Sequence, residues 1–139
     1  MLDLLPLHFA IDALVRALSV TGDLRRWQQF DAETQEVLKA GVIQNFEVAY
    51  EQSWKMMRRW LAVNAAAGDV DGVPIRQLYR VAAKTGLIDD IETWMDFHKA
   101  RNQTSHTYNR AIAQVVFDIA PVFAGCALQL LSKLEDRND

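Results

Sequence analysis

The 139-residue sequence holds one cysteine, three prolines and six glycines. A lone thiol, Cys126, excludes an internal disulfide and any zinc site built on cysteines. It lies in the apolar run VFAGCALQLL and is expected to be buried and inert. The glycines are scattered, so there is no glycine-rich phosphate loop. His-x-x-x-His spacing is absent, since His98 and His106 stand eight apart with no carboxylate partner nearby, and no metal or other cofactor is expected. Excess positive charge is lacking too. With a net charge of −3 the chain has no global pull on nucleic acid, and any RNA contact must come from a local patch. No run approaches the ~20 uninterrupted apolar residues of a membrane span. The opening MLDLLPLHFAIDALV is interrupted by Asp3, His8 and Asp12 and lacks a basic leading region, so it does not read as a signal peptide. The expectation is a cytoplasmic protein without a membrane partner.

What is present is a helical pattern. Half of the residues are hydrophobic and 24% are charged, as in a folded globular chain. A chain of this size buries roughly 68–70% of its extended surface, enough for one core, so a single domain over residues 1–139 is expected. Apolar residues recur at three and four rather than at two. Leu4, Leu7, Ile11, Leu14 or Val15, and Leu18 make a first stripe, ended by Thr21-Gly22. After a polar connection, Asp31 is a plausible N-cap for a second helix reaching Ala67, with Gly68 as its stop and Gly41 as a point where it could break or bend. In that helix Val42, Phe46, Ala49, Ser53, Met57 and Trp60 form a core face flanked by Ile43, Tyr50 and Leu61. Gln44, Glu47, Glu51, Lys55 and Arg58 run opposite as a polar stripe, suited to solvent or to a subunit interface.

GDVDGVP reads as a loop and IRQLYRVAAKTG as a short helix closed by Gly86. Asp89, three residues before Glu92, resembles a capping box that opens IETWMDFHKARN. A last helix from about Asn109 to Leu134 carries Ile112, Val115 or Val116, Ile119, Phe123, Leu130 and Leu134, with a bend expected at Pro121. The architecture implied is all-α, an antiparallel up-and-down bundle of four to five helices.

Between the last two helices lies RNQTSHTY, dense in hydrogen-bonding groups. A polar helix junction with a capping asparagine accounts for such a segment, and so does a site. Arg101 could hold a phosphate by a two-pronged hydrogen bond, and His106 could move a proton near neutral pH. RNA cleavage without a metal requires those functions: deprotonation of the 2′-hydroxyl, stabilisation of the phosphorane and protonation of the leaving oxygen. The two residues are five apart, about 140° around an ideal helix. They meet at one phosphate only if the helix ends between them or a second subunit completes the site. Tyr108, on its residues alone, reads as a partly buried tyrosine packed against the last helix.

GVIQNFEVAYEQSWK, Trp94 and RNQTSHTY together resemble, in order and spacing, the HEPN proteins paired with minimal nucleotidyltransferases, also known as nucleotidyltransferase substrate-binding proteins. The resemblance spans roughly residues 31–134 and implies a HEPN-like bundle that forms a homodimer. In toxin members an Arg-x4-His-x-Tyr motif cleaves RNA without a metal. It maps onto Arg101, His106 and Tyr108, with Asn102 and Ser105 in support. The resemblance further implies a cognate nucleotidyltransferase antitoxin that transfers AMP to Tyr108. It equally implies an alternative, a non-catalytic substrate-binding or accessory subunit of that nucleotidyltransferase.

Overall fold

The computed structural model describes residues 1–64 and 72–138. Six α-helices follow in order: α1 (Leu5–Thr21), α2 (Leu24–Gln29), α3 (Ala32–Asn64), α4 (Ile75–Lys84), α5 (Ile91–Gln103) and α6 (Arg110–Asp136). A 3-10 turn, Thr104–His106, links the last two. Among the described residues there are no strands.

The all-α expectation holds, with one helix more than expected. The polar connection contains α2, only six residues long and capped by Asp23. Its sequence, LRRWQQ, has no repeated apolar stripe. Tertiary contacts hold it instead: Trp27 stacks on Phe117 of α6 at 5.9 Å, and its carbonyl accepts from Gln35 Nε2 of α3 at 2.8 Å.

The carboxylate of Asp31 accepts from the Thr34 amide at 2.8 Å and so caps α3 as expected. Gly41 neither breaks nor ends the helix, which runs unbroken to Asn64. The buried face that begins at Val42 outweighs the roughly 1 kcal/mol that glycine costs in a helix. The expected end near Ala67 and Gly68 lies outside the described residues. The cap of α5 is Asp90 rather than Asp89: its oxygens accept from the amides of Glu92 and Thr93. Asp89 instead receives Lys133 of α6 at 3.2 Å. Gly86, at φ +81°, closes α4 by a backward turn in which the Leu87 amide reaches the Ala82 carbonyl.

The core converges on Phe123. Its ring lies 5.2 Å from Phe46 of α3 and 5.2 Å from Phe97 of α5, edge-on to each, with Tyr50 and Trp94 next to it. Leu7, Ile11 and Leu14 of α1 complete it, while Val15 turns outward. α6 is continuous through Pro121. By length and composition this helix could cross a membrane, which the count of uninterrupted apolar residues did not suggest. Here its face Val116, Ala120, Phe123, Ala127, Leu130 and Leu134 belongs to the core. Cys126 is half-buried, and burial together with Asp89 pushes its thiol up, which disfavours the reactive thiolate.

Candidate active site

RNQTSHTY forms the passage from α5 to α6, and its hydroxyls shape it. Thr104 Oγ1 donates back to the Arg101 carbonyl at 2.8 Å and Thr107 Oγ1 to the Thr104 carbonyl at 3.2 Å. Such local bonds compete with helix continuation. Asn109 then starts α6, its side-chain oxygen accepting from the amides of Ala111 and Ile112. The helix therefore ends between Arg101 and His106, one of the two conditions for a shared phosphate.

Arg101 is held by α3. Its Nε donates to Glu51 Oε1 at 2.8 Å, and Nη2 lies 3.4 Å from Glu47 Oε1. Among the described residues its Nη1 makes only a long contact, 3.5 Å, to Thr104 Oγ1. One edge of the guanidinium is thus fixed on carboxylates while the Nη1 end stays available to a ligand. The other oxygen of Glu51 accepts from Trp54 Nε1 at 3.2 Å and lies 3.9 Å from Lys55 Nζ. The α3 stripe expected to face solvent or a subunit is therefore, at Glu47 and Glu51, an internal brace for the motif arginine.

His106, Asn102 and Ser105 are exposed. Tyr108 is 84% exposed, which overturns the packed-tyrosine reading. Its ring meets that of His106 edge-on, with centroids 6.1 Å apart. Beside Tyr108 runs an open groove between α3 and α6, lined by Glu36, Lys39, Ile43, Arg110 and Gln114 among others. Its cations are already engaged, Lys39 with Gln114 at 2.7 Å and Arg110 with Glu36 at 3.3 Å. The motif residues thus share one surface segment, and among the described residues no hydrogen bond joins Arg101 to His106.

Behind the motif lies a polar chain that the sequence did not disclose. The buried hydroxyls of Tyr50 and Tyr79 bond to each other, and Tyr50 Oη lies 3.1 Å from His98 Nδ1. His98 Nε2 in turn lies 3.3 Å from Asn102 Nδ2. Burial pushes both phenols upward, well clear of neutral pH. Burial also lowers His98 below its ordinary value; Glu51 opposes this and Arg101 adds to it. Tyr50 reads in sequence only as a flank of the α3 core face, and its meeting with Tyr79 in space joins both to His98. Among the described residues no three His, Cys, Asp or Glu side chains group as metal ligands.

A family described as "Nucleotidyltransferase substrate binding protein like" matches residues 3–136. The chain belongs to it. This agrees with the HEPN and nucleotidyltransferase substrate-binding resemblance carried by the motifs. A family relative from Haemophilus influenzae, named probable ribonuclease HepT, is 37% identical over 118 residues, covering 82% of this chain and 80% of the relative. A solved Haemophilus influenzae structure superposes with a TM-score of 0.90 at 32% identity, covering 96% of this chain and 99% of the other. It is described as revealing the fold of a substrate-binding domain of a nucleotidyltransferase. A Thermus thermophilus structure superposes with a TM-score of 0.70 at 25% identity, over 90% of this chain and 98% of that one. The substrate-binding-protein fold therefore extends over nearly the whole chain.

Proposed function

We propose that this family member is the toxin of a toxin–antitoxin pair, a cytoplasmic, metal-independent endoribonuclease whose catalytic residues are Arg101 and His106. The observation that carries the reading is the brace on Arg101. Two carboxylates hold one edge of a guanidinium whose Nη1 end is left open, beside an exposed histidine past the helix break. The name of the Haemophilus relative supports it.

In this mechanism His106 takes the proton of a ribose 2′-hydroxyl. The 2′-oxygen bonds to phosphorus, Arg101 offsets the charge that builds on the phosphorane, and the P–O5′ bond breaks. A proton from an imidazolium goes to the departing 5′-oxygen. The products are a 2′,3′-cyclic phosphate and a 5′-hydroxyl. Asn102 and Ser105, exposed on the same segment, supply further hydrogen bonds to the RNA. A homodimer brings a second copy of the motif to the cleft. Ala111, Val115, Val122 and Gly125, with Asp118 between them, support that pairing as an outward stripe of α6 starting just beyond Tyr108.

The partner is a minimal nucleotidyltransferase. The Tyr108 oxygen attacks the α-phosphate of ATP, pyrophosphate leaves, and the AMP added beside Arg101 blocks RNA by charge and bulk. The exposure of Tyr108 supports this role as acceptor. The second reading, an accessory subunit presenting substrate to the nucleotidyltransferase, is favoured by the description of the superposed Haemophilus structure.

RNA cleavage in EDTA separates the two. The wild type is expected to cut and His106→Ala to be inactive, and a wild type that cuts no RNA overturns the toxin reading. Incubation with the nucleotidyltransferase, ATP and magnesium is expected to add one AMP to the wild type and none to Tyr108→Phe. AMP on another residue refutes the assignment.

A further inference from the structure

Two phenols meet inside the core, Tyr50 at 1% exposure and Tyr79 at 0%, and each must place its hydroxyl proton. Among the described residues the Tyr79 hydroxyl has one partner, Tyr50 Oη, and Tyr50 Oη has one more, His98 Nδ1 at 3.1 Å. Two donors need two acceptors. One order satisfies both: Tyr79 donates to Tyr50, and Tyr50 donates to Nδ1. The reverse order leaves the buried Tyr79 hydroxyl proton without an acceptor, a state that proteins avoid.

Nδ1 therefore carries the lone pair, and the neutral ring holds its proton on Nε2. That N–H faces Asn102 Nδ2, 3.3 Å away. Two N–H groups cannot bond each other, so the carboxamide is assigned the opposite way round, its oxygen at the position of Nδ2 facing His98 and its NH2 turned outward. We infer that His98 is a positioning residue of the Arg101–His106 site, fixing the Asn102 carboxamide with its NH2 toward the RNA. The RNA-facing half of this inference rests on the function proposed above; the hydrogen-bond order does not.

The groups around the imidazole agree with this order. α3 presents Tyr50 and Glu51, α4 presents Tyr79 behind Tyr50, and α5 presents Arg101 and Asn102. Glu51 and Arg101 act on the ring in opposite senses, which leaves burial to favour the neutral form. A second proton, at Nδ1, would place three donors on the two phenol oxygens.

Long-range proton–nitrogen spectra of the imidazole read the tautomer directly. The wild type is expected to show the Nε2–H pattern for His98, and the Nδ1–H pattern would overturn the proposal. Tyr79→Phe leaves the Tyr50 donor in place, so both the pattern and RNA cleavage should stay as in wild type. A Tyr79→Phe protein that changes tautomer refutes the order.

For cleavage, His98→Leu and Asn102→Ala should each lower kcat on the order of tenfold or more, with little change in KM. The double variant should fall no further than either single one. Multiplying losses would overturn the positioning role. A wild type that cuts no RNA removes the RNA-facing half together with the function reading, while the spectra still decide the hydrogen-bond order.

Discussion

Replacing Glu51 by glutamine tests whether the brace on Arg101 matters. The Arg101 Nε–Glu51 Oε1 distance is 2.8 Å, with the two side chains 29% and 28% exposed. Exposed pairs contribute about 0.2–1 kcal/mol, whereas breaking a buried pair from one side costs about 3–5 kcal/mol. Two features lower the cost here. Glu47 stays 3.4 Å from Nη2, and glutamine keeps one oxygen. One feature raises it: the native carboxylate serves Arg101 with one oxygen and Trp54 with the other, and a single amide oxygen cannot serve both. The loss should be about 1–2 kcal/mol, intermediate between the two limits. For a chain of this size that lowers Tm by roughly 3–10 °C. Urea melts of Glu51→Gln, Arg101→Ala and the double variant should show coupling of about 1 kcal/mol; additivity within about 0.5 kcal/mol refutes the brace. In RNA cleavage kcat should fall about tenfold, because the charge of Arg101 remains while its plane is no longer fixed. An unchanged or raised kcat would mean that the carboxylates restrain the arginine rather than aim it.

His106→Ala should reduce EDTA-resistant cleavage by about 10²–10⁴-fold with an unchanged circular dichroism melt, and Arg101→Lys should also be impaired because it keeps charge but loses the fork. The carboxyl of Asp90 is held below its ordinary value of 3.8, chiefly by the Thr93 hydroxyl. A depressed folded-state value stabilises above the unfolded value and is lost as pH falls through the folded one, so the Tm difference between wild type and Asp90→Asn should shrink with acid below about pH 4. Phe123→Ala removes the ring that α3 and α5 share and should cost about 3–5 kcal/mol in denaturant melts.

Much of the fold was legible because its helices are amphipathic and capped. The predicted core face of α3, Val42 through Trp60, is the face that is buried, Asp31 caps as expected, and α6 starts next to the expected Asn109. α2 was not legible, since six residues held by Trp27 on Phe117 leave no periodic trace. Asp89 and Asp90 are adjacent and chemically equal, so only backbone geometry could choose the cap. In the site, the motif gave Arg101, His106 and Tyr108 as candidates but not their surroundings. Glu47 and Glu51 looked like surface charges because their partner is 50 or more residues away in sequence. In the sequence His98 stood only as a histidine without metal spacing, until Tyr50 and Tyr79 met beside it.

The passage from α5 to α6 is also a spacer of set length. α5 is anchored in the core by Trp94 and Phe97, and α6 by Val116 and Phe123. Neither helix can turn about its axis without taking those side chains out of the core. One residue added inside a helix would rotate everything beyond it by about 100°. An extra residue between Thr104 and Asn109 must therefore be absorbed wholly within the passage, moving His106 or Tyr108 relative to Arg101 while both helices stay seated. Such an insertion would leave the bundle folded and the motif spelled almost unchanged, yet out of register with itself. The number of residues in this passage is a functional quantity in its own right, separate from their identity.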